Sequence, residues 1–535
     1  MSITRIARIA RIARIARPGR LALGHARRTL SSSAKLAQIQ RPVDGLVIGA
    51  YESPKVSEPG YSPSLLAGSS LPDSARENIC KILASARFKG ESKECRTLYN
   101  LEGLPPIVSV VGLGKADADD NQRAESARVA AATGAASIRS HFKNSLAHIE
   151  FDALGSPLAS GEAAALSTYA FDKYKQPKSR DPVLSVDFHD SVNADAEHEF
   201  AWRVGFIQGS AQNMARKFAD TPANLLTPAI FSQQAKNLLE YLPHTQVHVH
   251  GMEWAARNKM GAFLSVGRGS DEPVKFVEVV YSGGKADEQP LALVGKGVTF
   301  DSGGISIKPS TDMALMKGDM TGAAVVISAM WAIATLQLPI NVVASIPMTE
   351  NMPSGKATKP GDLVTAMNGK TIEVDNTDAE GRLILADAIY YTATAHKPHS
   401  LLSLSTLTGA IDVALGSVFG GAFVNNDDLW KVIEDSGKRS GDRFWRMPLD
   451  DAYKPQIRSH VADLKNVGGR SGGSCTAAIF LKEFVPQENE KPLVQFAHLD
   501  IASLMHKRDS SGYLSAGMTG RPTRTVIEIA KAFAK

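Results

Sequence analysis

The 535-residue chain has few cysteines. There are three, Cys80, Cys95 and Cys475, and they form no CxxC pair. Thiols this rare and this widely separated exclude a disulfide framework and a thiolate metal site, and they are typical of a reducing compartment. Hydrophobic residues make up 43% of the chain and charged residues 21%, which is the balance of a globular protein with sizeable cores.

Long apolar runs are also missing. A membrane-spanning helix needs about 18 or more consecutive apolar residues. The nearest candidate, VVISAMWAIATLQLPINVV, is interrupted by Gln337, Pro339 and Asn341. We therefore predict a buried helix followed by a buried strand in this stretch, and no membrane partner.

Complete nucleotide-binding motifs are absent as well. The segment VGLGKAD at 111–117 lacks a full GxGxxG, and GGRSGG at 468–473 does not match a phosphate-binding P-loop. The HVH at 248–250 could form a metal pair. On an alternating strand it is better explained as one side of a sheet edge.

Acidic residues are missing from the N-terminus, where the first carboxylate is Asp44. Eight arginines precede Thr29, and serines follow them. This composition is typical of a mitochondrial transit peptide, which we place at 1–33; a disordered basic arm for nucleic acid is the alternative. The formal net charge of +5 becomes −3 once these eight arginines are subtracted, so the remaining chain shows no electrostatic footprint for DNA or RNA.

The rest of the chain alternates strand and helix patterns, which predicts an α/β fold. Strands such as GLVIGAY and helices such as DSARENICKILASARF form an N-terminal α/β domain at 34–191. Residues 192–218 read as one long linking helix. The alternation then resumes over 219–535, which predicts a second α/β domain.

Carboxylates gather at predicted strand ends in this second domain. The ends of parallel strands are where ligands bind in open α/β sheets. Two divalent cations would neutralise four carboxylates there, and such a pair can activate water and polarise a carbonyl. Lysine could join them only after losing its proton, and burial and adjacent dications both lower its pKa. The candidate residues are Lys296, Asp301, Asp319, Asp378 and Glu380.

Each of these residues also has a simpler explanation. Taken alone, Asp319 is better explained as a helix N-cap. Asp378 and Glu380 could equally belong to a solvated turn. Lys308, which closes the segment VGKGVTFDSGGISIK, would by itself be a surface lysine. Spacing and composition alone leave these alternatives open.

Several motifs resemble the leucyl aminopeptidase family, also called the cytosol aminopeptidase family. The octapeptide NTDAEGRL at 376–383 is the most specific, and the resemblance extends over about 40–535. It implies an N-terminal α/β domain, a linking helix and a C-terminal catalytic α/β domain with a central mixed sheet. The other motifs, in the same order as in the family, are GKGVTFDSGGISIK, MKGDMTGAA, ENMPSGKATKPGD, TLTGA and GMTGRPTRT.

The resemblance implies two divalent metal ions per chain, zinc or manganese. Asp301 and Glu380 would bridge them, Asp378 would complete one site, and Lys296 and Asp319 would complete the other. The free α-amine of a peptide would bind one metal and Asp319, which implies a metallo-exopeptidase.

The same resemblance assigns the remaining roles. Lys308 would stabilise the oxyanion of the tetrahedral intermediate, and Arg382 would hold a bicarbonate that acts as general base. An apolar pocket would favour Leu or Met as the first residue of the peptide. The expected substrate-binding residues are Met316, Asn376, Thr406, Leu407, Gly409, Ala502 and Met505. Gly318 and Ser503 depart from the common family pattern, which leaves the shape of the pocket open.

Two functions follow as hypotheses. The first is a mitochondrial matrix aminopeptidase acting on short peptides, assembled by resemblance as a homohexamer, a dimer of trimers. The second is a structural role, because insect sperm contain abundant mitochondrial proteins similar to this family in paracrystalline material, several without the catalytic residues. All expected metal ligands are present here, which favours activity. DNA binding, known for some bacterial relatives, is disfavoured by the acidic body of the chain.

Overall fold

The computed structural model describes residues 42–52, 64–65, 71–142, 146–189, 196–489 and 491–534. The predicted transit peptide at 1–33 lies outside them. The described residues divide into two compact units, one of residues 42–213 with 509–516 and one of residues 214–508 with 517–534. The predicted catalytic domain, 219–535, includes 509–516, but this segment belongs to the first unit.

The first unit is an α/β domain built on one sheet. Its strand order is β3-β4-β1-β5-β6, with β2 beside β1; all neighbours on the β4-β1-β5-β6 path are parallel, and β3 is antiparallel to β4. The strands are β1 (Gly45–Tyr51), β2 (Ser64–Leu65), β3 (Cys95–Tyr99), β4 (Ile107–Gly112), β5 (Leu146–Phe151) and β6 (Val183–Phe188). The helices are α1 (Asp73–Ser85), α2 (Asp120–Arg139) and α3 (Pro157–Ser167).

A 25-residue helix, α4 (Ala196–Asp220), follows, where the sequence predicts a helix over 192–218. The boundary between the two compact units falls within it. A long helix is expected here because the segment contains no proline and its only glycines, Gly205 and Gly209, leave the apolar periodicity intact.

The second unit contains a nine-stranded mixed sheet with the order β16-β15-β20-β14-β9-β11-β8-β7, and β10 beside β11. This agrees with the predicted central mixed sheet. The strands are β7 (Thr245–His250), β8 (Lys275–Ser282), β9 (Leu291–Gly295), β10 (Gly297–Asp301), β11 (Asn341–Asn351), β14 (Ser400–Ser405), β15 (Gly420–Val424), β16 (Phe444–Met447) and β20 (Gln495–Asp500).

Smaller sheets complete the second unit. One has the order β12-β13-β17, and the other two are short hairpins. Their strands are β12 (Asp362–Thr365), β13 (Thr371–Val374), β17 (Leu464–Lys465), β18 (Gln487–Glu488), β19 (Lys491–Pro492), β21 (His506–Lys507) and β22 (Gly517–Met518). The helices are α5 (Pro228–Leu239), α6 (Met252–Arg257), α7 (Gly261–Val266), α8 (Thr321–Thr335), α9 (Gly381–His396), α10 (Gly409–Leu415), α11 (Asp427–Ser440), α12 (Gly473–Lys482) and α13 (Thr523–Phe533).

Helix α8 and strand β11 lie in the apolar stretch noted in the sequence, and both are buried, as predicted. The segment 313–335 that contains α8 is the one helical segment of the described residues long and apolar enough to span a membrane. Within this segment, 94% of the most apolar stretch is buried inside the protein, as in the core helix of a folded domain. The HVH segment lies in β7, which is at one edge of the large sheet, as predicted.

Candidate metal centre

The candidate site lies at the carboxyl edge of the large sheet. Strands β9, β14 and β20 are parallel neighbours, so their last residues share one edge. Lys296 follows β9, Thr406 follows β14, and Asp500 ends β20. Asp301 ends β10, which pairs in parallel with β11. This is the position at which ligands bind in α/β sheets.

Lys296 pairs with two buried carboxylates. Its Nζ lies 2.7 Å from Asp319 Oδ2 and 2.9 Å from Glu380 Oε1, and no more than 7% of any of the three side chains is exposed. The hydroxyl of Thr406 donates to Asp319 Oδ1 at 2.8 Å. The N-cap interpretation of Asp319 is wrong, because Met320 occupies the N-cap position of α8 and the Asp319 carboxylate is directed to these partners instead.

Lys308 pairs with the other two carboxylates. Its Nζ lies 2.8 Å from Asp301 Oδ2 and 2.6 Å from Asp378 Oδ1, and only 20% of its side chain is exposed. It is therefore not the surface lysine that its residue type alone suggests. Between Asp301 and Lys308 the chain turns through Gly303, with φ of +90°. A Cβ there would lie 2.8 Å from Asp378 Oδ1, so this position requires glycine.

Asp378 and Glu380 follow a buried strand, as predicted, but this strand belongs to a different sheet from the strands before Lys296 and Asp301. The strand before them, β13, belongs to the small β12-β13-β17 sheet, so these residues do not end a strand of the large sheet. They lie on the connection between β13 and α9. Carboxylate oxygens of Asp301, Asp378 and Glu380 nevertheless lie within 4.8 Å of one another. The solvated-turn alternative is wrong for Glu380, which is 2% exposed.

The charges of this cluster are strongly coupled. Burial lowers the pKa of Lys296, but the carboxylates of Asp319 and Glu380 raise it by more, so the net direction is upward. Burial raises the pKa of Asp319 well above its ordinary value, with Lys296 opposing. A lysine among metal ligands, here Lys296, is predicted to lose its proton. Its neighbouring carboxylates alone keep it charged, and only cations placed among them would reverse that direction.

Glu380 Oε2 and Arg382 Nε are among the buried side-chain atoms that have no hydrogen-bond partner in the described part of the chain. Buried polar groups without a partner are rare and mark sites for ions or ligands. The Glu380 oxygen suits a cation, and the guanidinium suits an anion. Arg382 Nη1 donates to the carbonyl oxygen of Asn466 at 2.8 Å, and burial lowers the Arg382 pKa to about 10.

The expected pocket residues lie on short elements near the cluster. Met316 belongs to the 3₁₀ helix Met313–Gly318 that precedes Asp319, and Ala502 begins the 3₁₀ helix Ala502–Leu504. A Cβ added to Gly318 would lie 3.1 Å from the sulfur of Met505, so these two segments are in contact.

The other expected substrate positions are held by hydrogen bonds or face open space. Leu407 N–H donates to Asp500 Oδ1 at 3.1 Å. Asn376 Oδ1 accepts from the N–H of Asp378 at 2.8 Å, so at least this atom supports the loop. A Cβ on Gly409 would meet no protein atom within 4 Å.

Three residues that support the site are missing from the sequence analysis. Asn351 donates to Asp301 Oδ1 at 2.8 Å and to the Thr377 carbonyl at 3.0 Å, which joins two carboxylate segments. Asp500 accepts from Thr408 Oγ1 at 2.7 Å, and burial raises its pKa to about 6. Asn466 contacts the segment that contains Asp378 and Glu380. Asn351 lies in a quoted motif, but no sequence signal separates Asn466 from other loop asparagines.

Fold and cluster together define an α/β protein with a carboxylate cluster that could hold metal ions. The chain belongs to the cytosol aminopeptidase family. The catalytic-domain model of this family matches residues 213–527, and its N-terminal-domain model matches residues 47–178. The chain is accordingly a metallo-aminopeptidase.

Individual relatives agree with this assignment. The chain is 43% identical over 528 residues to the cytosol aminopeptidase of Homo sapiens, covering 95% of this chain and 96% of that protein. It is 42% identical over 501 residues to the cytosol aminopeptidase of Dictyostelium discoideum, covering 91% and 92%.

Solved structures share the fold. A tomato leucine aminopeptidase mutant has a TM-score of 0.77 at 30% identity, covering 93% of this chain and 95% of that one. The bottromycin maturation enzyme BotP in complex with Mn has a TM-score of 0.76 at 30% identity, covering 92% and 100%.

Proposed function

We propose that this metallo-aminopeptidase uses two divalent metal ions to release N-terminal residues from short peptides, with a preference for Leu and Met, in the mitochondrial matrix. One observation supports the metal centre above all. Oxygens of Asp301, Asp378 and Glu380 lie within 4.8 Å of one another, and Glu380 keeps a buried oxygen without a partner among the described residues.

The ligand set suits zinc or manganese. Carboxylate oxygens are ligands for both ions, and the similar structure of BotP is a complex with Mn. Such ions would activate water and polarise the scissile carbonyl. The residues that would hold them are Lys296, Asp301, Asp319, Asp378 and Glu380.

The remaining side chains position and stabilise the substrate. The Lys308 ammonium lies beside Asp301 and Asp378, where it can donate to the oxyanion of the tetrahedral intermediate. Arg382 has a buried Nε to offer to an anion, and a bicarbonate held there would accept the proton of the attacking water. Asp319 would accept from the peptide α-amine, which restricts cleavage to the first residue.

The side-chain preference rests on the pocket residues. Met316, Met505 and Ala502 present unbranched or small apolar groups, which suit a Leu or Met side chain. The other expected contacts are Asn376, Thr406, Leu407 and Gly409.

The mitochondrial location and the assembly rest on sequence alone. Residues 1–33 have the arginine-rich, acid-free composition of a transit peptide. The homohexamer follows from the resemblance to the family. A structural packing role has no observation in its favour, and we do not propose it.

Activity can be tested on the full chain after treatment with a chelator. Adding Mn²⁺ or Zn²⁺ should restore hydrolysis of a leucine chromogenic amide, with two ions bound per chain. Glu380→Gln should lower turnover about 10³-fold or more, because metal catalysis supplies several kcal/mol. Asp375→Asn is the matched control, since this half-exposed carboxylate of the same loop pairs only loosely with Lys465 at 3.9 Å. Equal activity of Glu380→Gln and Asp375→Asn would contradict the proposal.

Location needs its own experiment. Residues 1–33 fused to a fluorescent protein should direct it to mitochondria, and the same fusion with the eight arginines changed to glutamine should stay in the cytosol. Cytosolic fluorescence of the first fusion would overturn the matrix location and leave the peptidase assignment intact.

A further inference from the structure

Asn466 is a fully buried asparagine beside the metal centre. It follows β17, which pairs in parallel with β13 through Ile372 with Leu464 and Glu373 with Lys465. Its backbone N–H continues this pairing and donates to the Glu373 carbonyl at 3.0 Å. Asn466 therefore stands where β13 ends and where the chain turns into the segment 375–382, which we call the ligand loop.

The side chain of Asn466 forms four hydrogen bonds with the backbone of the ligand loop. Its Oδ1 accepts from the N–H groups of Asp375 at 2.9 Å and Asn376 at 3.3 Å. Its Nδ2 donates to the carbonyl oxygens of Asn376 at 2.7 Å and Ala379 at 3.2 Å. An amide offers two acceptor sites and two donors, so its whole capacity is used in this one loop.

These bonds fall on both sides of Asp378, the first expected metal ligand of the loop. Asp378 lies between Asn376 and Ala379, whose carbonyl oxygens both bind the Asn466 amide. Glu380 directly follows Ala379. The carbonyl oxygen of Asn466 itself accepts from Arg382 Nη1 at 2.8 Å. Asn466 thus contacts the ligand loop at its start, between Asp378 and Glu380, and at Arg382.

We propose that Asn466 is a positioning residue that holds the ligand loop in its metal-binding conformation before any metal arrives. This inference rests on the proposed two-metal function. Asp378 and Glu380 lie on a loop, and their oxygens converge with Asp301 only if the loop backbone is fixed. Without Asn466, binding a metal ion would also have to order the loop, and the affinity would fall accordingly.

Only an amide of this length fits the bonding pattern. Aspartate keeps the two acceptors but turns an oxygen toward the carbonyls of Asn376 and Ala379, which repel it. Alanine leaves two N–H and two C=O groups of the loop without this partner. Both replacements remove the donors, and neither touches a metal ligand.

The test measures Mn²⁺ affinity by calorimetry on the full chain. Asn466→Asp and Asn466→Ala should bind Mn²⁺ about 10- to 100-fold more weakly than the wild-type chain. At saturating Mn²⁺, the KM for a leucine amide should change less than kcat. The position of the ligand loop determines where Arg382 lies and where Asp378 meets Lys308, and a shifted loop would misplace these groups.

Asn425 provides a matched control. Its side chain also binds backbone, accepting from Phe496 N–H at 2.7 Å and donating to the Val494 carbonyl at 3.4 Å, at the opposite end of β20 from Asp500. Asn425→Ala should lower the melting temperature but leave the Mn²⁺ affinity within about twofold of wild type. If Asn466 had a purely structural role, Asn466→Ala would also lower the melting temperature without weakening Mn²⁺ binding. That result would overturn the inference.

Hydrogen exchange of the wild-type chain tests the inference without any variant, so a variant that fails to fold leaves it decidable. The amides of Asp375 and Asn376 should exchange slowly in the chelated protein as well as in the metal-loaded one, because Asn466 accepts from both. If these amides exchange fast in the chelated protein and slowly in the metal-loaded one, the metal and not Asn466 orders the loop. Absence of Mn²⁺ binding by the wild-type chain would instead contradict the proposed function.

Discussion

Gly381 and Lys296 are in such close contact that a Cβ on Gly381 would lie 2.7 Å from Lys296 Nζ. Gly381 begins helix α9 immediately after Glu380, and Lys296 follows strand β9. The absence of a side chain at Gly381 is therefore what lets the ammonium reach the carboxylates of Asp319 and Glu380.

Gly381→Ala should reduce activity far more than stability. The lysine tip can move aside, so the unfolding free energy should fall by about 1–3 kcal/mol, the usual cost of overpacking. The displaced Lys296 no longer meets Glu380, and kcat/KM for a leucine amide should fall at least about 10-fold. Gly355→Ala is the control, because a Cβ there meets no atom within 4 Å. Equal kinetics of the two variants would show that Lys296 tolerates displacement.

Lys308→Met should separate catalysis from metal binding. The ammonium pairs with Asp301 and Asp378, so it competes with cations for these oxygens. Its removal should leave Mn²⁺ affinity equal or higher, while kcat falls about 10²- to 10³-fold, as for the loss of an oxyanion donor. Steady-state kinetics and calorimetry check both values. Lys370→Met, which removes a lysine paired with Glu483, should change neither. A weaker Mn²⁺ affinity in Lys308→Met would assign Lys308 to the metal ligands instead.

Glu278 should stabilise the second unit at neutral pH. Burial alone would raise its pKa, but hydrogen bonds from His396 at 2.7 Å and His250 at 3.2 Å lower it to about 2. A carboxyl whose pKa is lower in the folded protein adds stability above its unfolded pKa of about 4.5. That stability is lost as the pH falls from about 4.5 to about 2.

Glu278→Gln should therefore lower the unfolding free energy at pH 7 by about 2 kcal/mol and flatten its decline below pH 4.5. Thermal unfolding between pH 7 and pH 3 measures both effects. Glu288→Gln is the control, because this carboxylate is paired with Lys285 at the surface and should change little. A parallel shift of the Glu278→Gln curve at all pH values would contradict the assignment.

Met505→Ala should change substrate preference. The Met505 side chain contacts Gly318, two residues after Met316. Removing this side chain would enlarge the expected pocket. We expect kcat/KM for a leucine amide to fall about 10-fold, in line with 1–3 kcal/mol for lost apolar contact, while a phenylalanine amide loses less. A ratio of the two kcat/KM values equal to that of the wild-type chain would place the pocket elsewhere.

The amino-acid sequence predicts alternating strands and helices and the type of fold. Buried runs such as GLVIGAY, bounded by glycine and proline, and the long apolar run of α8 leave little choice of element, because period and length identify each one. It also predicts Asp301, Asp319, Asp378 and Glu380 as a candidate ligand set, since acidic residues gather at predicted strand ends and the motifs that contain them resemble one family.

Which of these residues lie in contact depends on the folding of distant segments onto one another. Asp319 could be a cap or a ligand until Lys296 and Thr406 were seen to face it. The strand before Asp378 belongs to a small sheet, and only that sheet brings Asn466 from 84 residues beyond Arg382 to the ligand loop. Hydrogen bonds between distant segments leave no periodic pattern in the chain. The residues that support the metal centre can therefore be identified only from the three-dimensional structure.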